Sequence, residues 1–201
     1  MKKSIAVFTL VFLMMSNVGC KSDINSEINK RFENMQSYTA TVNVTVLGNG
    51  KSETYKMLQT WKAPDMYRNE ITEPERMRGT ISIVNSDGIW LKSGDAPAVR
   101  MDLGSDSADK EYMFLADFFA DYFSVEHSES PEQDSDGKIM LNASDRGTNK
   151  NRFTQNLIID VKHGFMPEML QTFDNKGNEV LRVEYGDFIL NAETDDSAFE
   201  F

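Results

Sequence analysis

Few side chains in this chain could do covalent or metal chemistry. There is one cysteine, Cys20, and there are two histidines, His127 and His163. His127 sits in an acidic tract and His163 beside a turn glycine in VKHGFMP, so neither belongs to an HxH or HExxH pattern. A metal centre needs several His, Cys, Asp or Glu ligands at fixed spacing, so no metal and no cofactor is expected. Carboxylate pairs such as Asp195-Asp196, or Asp106 near Asp109, follow from composition in a chain with 32 acidic residues. They are not evidence for acid–base catalysis. No GxSxG elbow, Walker loop or GxGxxG segment occurs. No catalytic residue is assigned, and a non-enzymatic protein is expected.

Cys20 has a different kind of setting. It follows two basic residues, Lys2 and Lys3, then an apolar run and the small residues of SNVG. That is the three-part order of a secretory signal, too short to span a membrane as a helix, which takes roughly 20 apolar residues. A lone cysteine in an exported chain has no intramolecular partner for a disulfide. Its place after Val18-Gly19 resembles a bacterial lipobox, where the thiol receives a diacylglycerol and the signal is cut before it. Asn17 stands where that pattern carries an aliphatic residue, and ordinary cleavage nearby, giving a soluble secreted protein, is the alternative. The expected organisation is a signal peptide over 1–19, a lipidated tether over 20–25 and one domain over 26–201. Within it, 126–137 (EHSESPEQDSDG) reads as an acidic loop.

The net charge of −11 becomes more negative once Lys2 and Lys3 are removed. Such a surface repels phosphate backbones, so no nucleic-acid partner is expected. The elements are those of a β-rich domain. Ile24, Ile28, Phe32 and Met35 fall at helical spacing, with Ser26 as the expected cap. In TATVNVTV the period changes to two: Ala40, Val42, Val44 and Val46 point one way. GNGK then turns the chain into ETYKMLQTWK, with Tyr55, Met57 and Trp61 on one face. Strand-like segments follow at MYRNEIT, GTISIVN, GIWLKS and AVRMDL, and later at KIMLNAS, NRFTQNLIIDV, PEMLQTFD and EVLRVEYGDFIL.

Between the two sets, 111–123 reads as a helix with a broad aromatic face. Tyr112, Leu115, Phe119 and Tyr122 form one row, with Phe114, Phe118 and Phe123 beside it. The order predicts a mainly β (α+β) fold: an unclosed, strongly curled antiparallel barrel with helices over its mouth. The aromatic helix is the expected filler or lid of the concave face. Phe114, Leu115, Phe118 and Phe119, with Trp61 and Trp90, are the candidate cavity residues. Its methionines and aromatics would suit a pocket for flexible apolar ligands or an ordinary core. An unclosed barrel also leaves strand edges that could capture another chain, or exchange strands with a second copy to give a homodimer.

The C-terminal third resembles the end of the LolA/LolB lipoprotein-carrier superfamily. The matching positions are Gly164 and Pro167, Asp174 and Gly177, Asn191, then Asp196, Phe199 and Phe201. WKAPDMYRNEITEP resembles that family's middle stretch through Lys62, Pro64, Arg68 and Pro74, and SDGIWLKS resembles its following strand. The resemblance implies the unclosed barrel and an apolar concavity that holds acyl chains in the carriers. Among lipid-anchored members the chain is most similar to the clostridial germination lipoproteins. That implies a protein held at a membrane through Cys20 that binds and supports a cell-wall N-acetylmuramoyl-L-alanine amidase in spore cortex modification. The alternatives are a lipid or lipoprotein carrier or receptor, and a sensor of envelope stress.

Overall fold

The computed structural model describes residues 23–48, 50–101, 113–127, 130–144 and 153–201; Cys20 and Tyr112 lie outside them. The first helix, α1 (Ile24–Ile28), is capped by Asp23, whose carboxylate accepts from the Asn25 N–H at 3.3 Å. Asp23 takes the role expected of Ser26 because its side chain precedes the first helical turn, whereas Ser26 lies within it. The helix continues as a π-helical turn, Asn29–Glu33, and buries Ile28 and Phe32.

Ten strands follow. They are β1 (Ser37–Gly48), β2 (Lys51–Lys62), β3 (Met66–Glu73), β4 (Thr80–Asn85), β5 (Gly88–Ser93), β6 (Val99–Met101), β7 (Lys138–Ser144), β8 (Thr154–Asp160), β9 (Met166–Phe173) and β10 (Glu179–Leu190). A second helix, α2 (Leu115–Tyr122), separates β6 from β7. All ten strands form one sheet in the order β6-β5-β4-β3-β2-β1-β10-β9-β8-β7, with every described pair antiparallel. The sheet is not closed, since β6 and β7 are its two edges. Both halves are meanders, and the first and last strands meet at the seam between them.

Alternation along each strand separates an inner from an outer face. Tyr38, Ala40, Val42 and Val44 of β1 face inward with Met57 and Trp61 of β2, and Val183 of β10 pairs with Val44. Leu170, Leu157 and Leu141 carry the same face across β9, β8 and β7. A shift in register opposite Thr39 and Thr41 interrupts β10, where Asp187 has φ 46°. This bulge changes the phase of the strand, so that Phe188 is buried with the inner core although Tyr185, three residues earlier, also packs there.

Asn191, at φ 53°, turns the chain out of β10. Asparagine tolerates this left-handed conformation better than most residues, and here its Oδ1 accepts from the Gln36 N–H at 2.9 Å. The last residues then cross the outer face as a strap ending in a 3₁₀ turn, Asp196–Phe199. Of the tract 126–137, the described residues carry one isolated bridge, Gln133 to Ile139, and a turn closed by Gly137 N–H donating to Asp134 O.

A plugged inner face and a strapped outer face

Helix α2 lies in the hollow of the sheet. Phe114, Leu115 and Phe118 are fully buried and Phe119 nearly so. Burying each of these side chains is worth roughly 1.5–3 kcal/mol, which holds the helix against the strands. Its rings pack on those around it: Phe119 lies on Phe32 at 4.4 Å between centroids, and Phe114, just before the helix, meets Tyr67 edge-on at 4.8 Å.

Apolar contact does not fix the helix alone, for a set of inward polar side chains holds the backbone at its start. The Tyr38 hydroxyl accepts from the Leu115 N–H at 3.1 Å and donates to Gln59 Oε1 at 2.8 Å. Gln59 Nε2 donates to the Met113 carbonyl at 3.3 Å, as the Tyr185 hydroxyl does at 3.4 Å. The Tyr67 hydroxyl donates to Asp117 Oδ1 at 3.2 Å. Phe114, at the N-cap position, makes no side-chain cap bond, and the Tyr38 hydroxyl meets the first helical N–H instead. Burial pushes the Tyr38 and Tyr185 hydroxyls well above the usual tyrosine pKa; burial and then Asp117 do the same to Tyr67. All three are therefore neutral donors at physiological pH.

Sequence reasoning did not identify this polar cradle. A signal was present: Gln59 lies between Met57 and Trp61 in the alternation of β2, a polar residue on an apolar face. Beside the plug is an apolar cleft of about 250 Å³, lined by Phe32, Met35, Trp61, Ala116, Phe119 and Phe123.

The six candidate cavity residues do not form one group. Trp61 pairs with Tyr38 and stacks on it at 6.1 Å, on the inner face with Phe114 and the three α2 residues. Trp90 is on the other face. It pairs with Ile83, Ile83 with Arg68 and Arg68 with Thr60, one residue out of phase with Trp61. The expectation of a common cavity is corrected by this register, because each step of one residue reverses the side chain.

The outer face has a small core of its own, built around Phe199 and Ile83, which are 1% and 0% exposed. The motif residues of the middle and C-terminal stretches meet here. Lys62 Nζ donates to the Thr194 carbonyl at 2.9 Å and forms an ion pair with Asp196. Arg68 Nη1 donates to the Ala198 carbonyl at 3.4 Å, and Asn85 Nδ2 to the Phe199 carbonyl at 2.9 Å. These residues fasten the strap.

His163 and His127 are apart. Nδ1 of His163 is 2.6 Å from Asp160 Oδ2, while His127 stacks on Tyr122 at 3.9 Å. Among the described residues no three His, Cys, Asp or Glu side chains gather as a metal site, and no helix is long and apolar enough to cross a membrane.

Fold and site together define a class: an open, curled antiparallel sheet whose hollow is filled by its own helix. The chain belongs to the YdcC-like sporulation protein family, whose model matches residues 1–199. No curated protein matches the sequence.

Solved structures similar to it include the LolA superfamily protein NE2245 from Nitrosomonas europaea, at 16% identity and TM-score 0.48, covering 89% of this chain and 98% of that one. Another is a chain from the complex of the CwlD amidase with the GerS lipoprotein from Clostridioides difficile. There the identity is 24% and the TM-score 0.47, with 88% of this chain and 99% of that one covered. The Mycobacterium tuberculosis lipoprotein LppX is similar at 12% identity and TM-score 0.44, over 86% and 97% of the two chains.

Proposed function

We propose that this protein is a non-enzymatic, membrane-anchored lipoprotein that binds and supports an exported N-acetylmuramoyl-L-alanine amidase during sporulation. Lipidated Cys20 supplies the anchor, after removal of 1–19 as a signal peptide, and 20–25 is the tether. Membership of a sporulation family supports the setting, and the sequence resemblance to germination lipoproteins supports the partner.

One observation carries the choice of binder over carrier. The space a carrier would give to acyl chains is occupied by Phe114, Leu115, Phe118 and Phe119, and the start of α2 is held by Tyr38 and Gln59. Emptying it would expose four large apolar side chains and break at least three hydrogen bonds to the helix start. Binding then falls to the outside of the sheet or its edges. Strands β6 and β7, the two ends of the sheet order, are the edges at which another chain, the amidase or a second copy, would add, although Gln133 already bridges to Ile139 of β7.

The carrier reading has one feature in its favour, the apolar cleft beside Trp61. At about 250 Å³ it falls below the roughly 300–1,000 Å³ of small-molecule sites.

The test mixes the full-length protein in detergent with the sporulation amidase of the same organism, and separately with a diacylated lipopeptide. Co-elution with the amidase and no lipopeptide uptake is the expected result. Lipopeptide bound at one per chain, with no amidase retained, would overturn the binder reading in favour of the carrier. An unmodified Cys20 in the mass spectrum of the native protein would remove the anchor.

A further inference from the structure

The outer face carries a cavity of about 400 Å³ that the inner plug leaves untouched. Met66 at the start of β3, Asp87 and Trp90 of the β4–β5 hairpin, and Asp196, Glu200 and Phe201 of the strap line it. The strap makes this cavity. Without the seating of Phe199 and the bonds from Arg68 and Asn85, the final residues would have no fixed position opposite Trp90.

The lining combines three aromatic residues, Trp90, Phe199 and Phe201, with a thioether, three carboxylates and the polar residues Asn85 and Ser86. Asp196 is engaged by Lys62, whereas among the described residues Asp87 and Glu200 form no ion pair. The basic groups nearby lie outside the lining. Arg68 is paired with Glu70, and the Arg100 guanidinium runs beside Gly88. Lys92 Nζ lies over the Phe201 ring, 5.7 Å from its centroid, so this ring already accepts an ammonium on one face. Aromatic faces attract alkylammonium groups, and carboxylates strengthen that attraction through charge-assisted hydrogen bonds. A phosphate would meet Asp87 and Glu200 as like charges. An acyl chain would desolvate them without compensation. Met66 and the indole of Trp90 suit the methylene stem that leads to such a charge.

We propose that this cavity receives a lysine side chain of the protein partner, its stem against Trp90 and Met66 and its ammonium between Asp87 and Glu200. The proposal rests on the reading of the protein as a binder of another exported protein. It names a place and a chemistry for that contact.

The two tryptophans make it testable, since Trp90 lines this cavity and Trp61 lies on the inner face. Full-length protein with isotope-labelled indoles is titrated with Nα-acetyl-lysine methylamide, and in parallel with its norleucine and arginine counterparts. The expected result is a saturable shift of the Trp90 indole N–H with the lysine compound and no shift of Trp61. Norleucine should bind at least about fivefold more weakly, and D87N/E200Q should weaken lysine binding by about five- to tenfold. Glu200→Gln alone serves as a second variant, because Glu200 makes no side-chain bond among the described residues, and it should weaken binding about twofold or more.

The proposal is overturned if Trp90 does not respond to lysine, if norleucine or arginine binds as well as lysine does, or if the variants bind lysine unchanged. Because the probe is a small molecule, its failure leaves amidase co-elution as a separate result. An amidase that fails to co-elute equally leaves the cavity's preference measurable.

Discussion

The hydroxyl of Tyr38 joins the sheet to the start of α2. It accepts a hydrogen bond from the Leu115 N–H and donates one to Gln59 Oε1, on a side chain with no solvent exposure. Tyr38→Phe keeps the ring stacked near Trp61 and Phe188 but strands an N–H and an amide oxygen in the core. Leaving such a buried group unsatisfied costs about 1–3 kcal/mol, more than the hydrogen bond itself contributes. The expected outcome is that much loss in urea unfolding with an unchanged m value. A cost below about 0.5 kcal/mol would show that water reaches these groups and that the cradle is not closed. Trp90 gives the opposite lesson at this scale. Its identity suggested an inner residue, but only the pairing of four strands in register decides which way it points.

At the level of elements, α2 is a short helix with eight residues and no cap of its own, and it persists because of what surrounds it. Phe118→Ala should therefore cost more than helix propensity predicts. Removing a fully buried ring typically costs 3–5 kcal/mol, and stability to urea measures it. If the loss is under about 1 kcal/mol, the hollow collapses readily around the gap and the plug is dispensable.

Much of this element was legible beforehand. Aromatic residues at helical spacing announced a helix with a wide apolar face, and a curled sheet needs something to fill it. The alternation of β1 and β2 was legible for the same reason, a period of two over many residues. Three features were not. The cap moved to Asp23 because Asp and Ser are both good caps and only geometry chooses between them. The break in β10 at Asp187 is marked only by the neighbouring Gly186, and a glycine inside a strand fits an unbroken strand as well as a bulge. The polar cradle joins β1, β2, β3 and β10 to residues far away in the chain, which no local window can show. The motif residues Lys62, Arg68, Asn191 and Asp196 were identified as a pattern, and the structure shows what they hold: the strap.

On the scale of the whole molecule, the interior is a store of neutral tyrosine hydroxyls. Tyr38, Tyr67 and Tyr185 all have raised pKa values, chiefly through burial. A raised folded-state value means that the unfolded chain loses these protons first, from about pH 10 upward. The stability linked to them is fully present below that pH and falls as pH rises through the folded-state values. Alkaline titration should show phenolate absorbance from these residues appearing together with loss of the near-ultraviolet dichroism, in one cooperative step. Full ionisation of all the tyrosines in a still-folded protein would contradict their burial.

The pairing of β1 with β10 has a consequence in time as well as in space. A chain synthesised from its N-terminus presents β1 early, and that strand's second neighbour is among the last segments to emerge. Throughout that interval the half-sheet β1–β6 has an exposed flank, and any complementary strand, including one from another copy, can take the waiting place. A late-arriving seam of this kind makes assembly a race between the chain's own ending and its neighbours' strands.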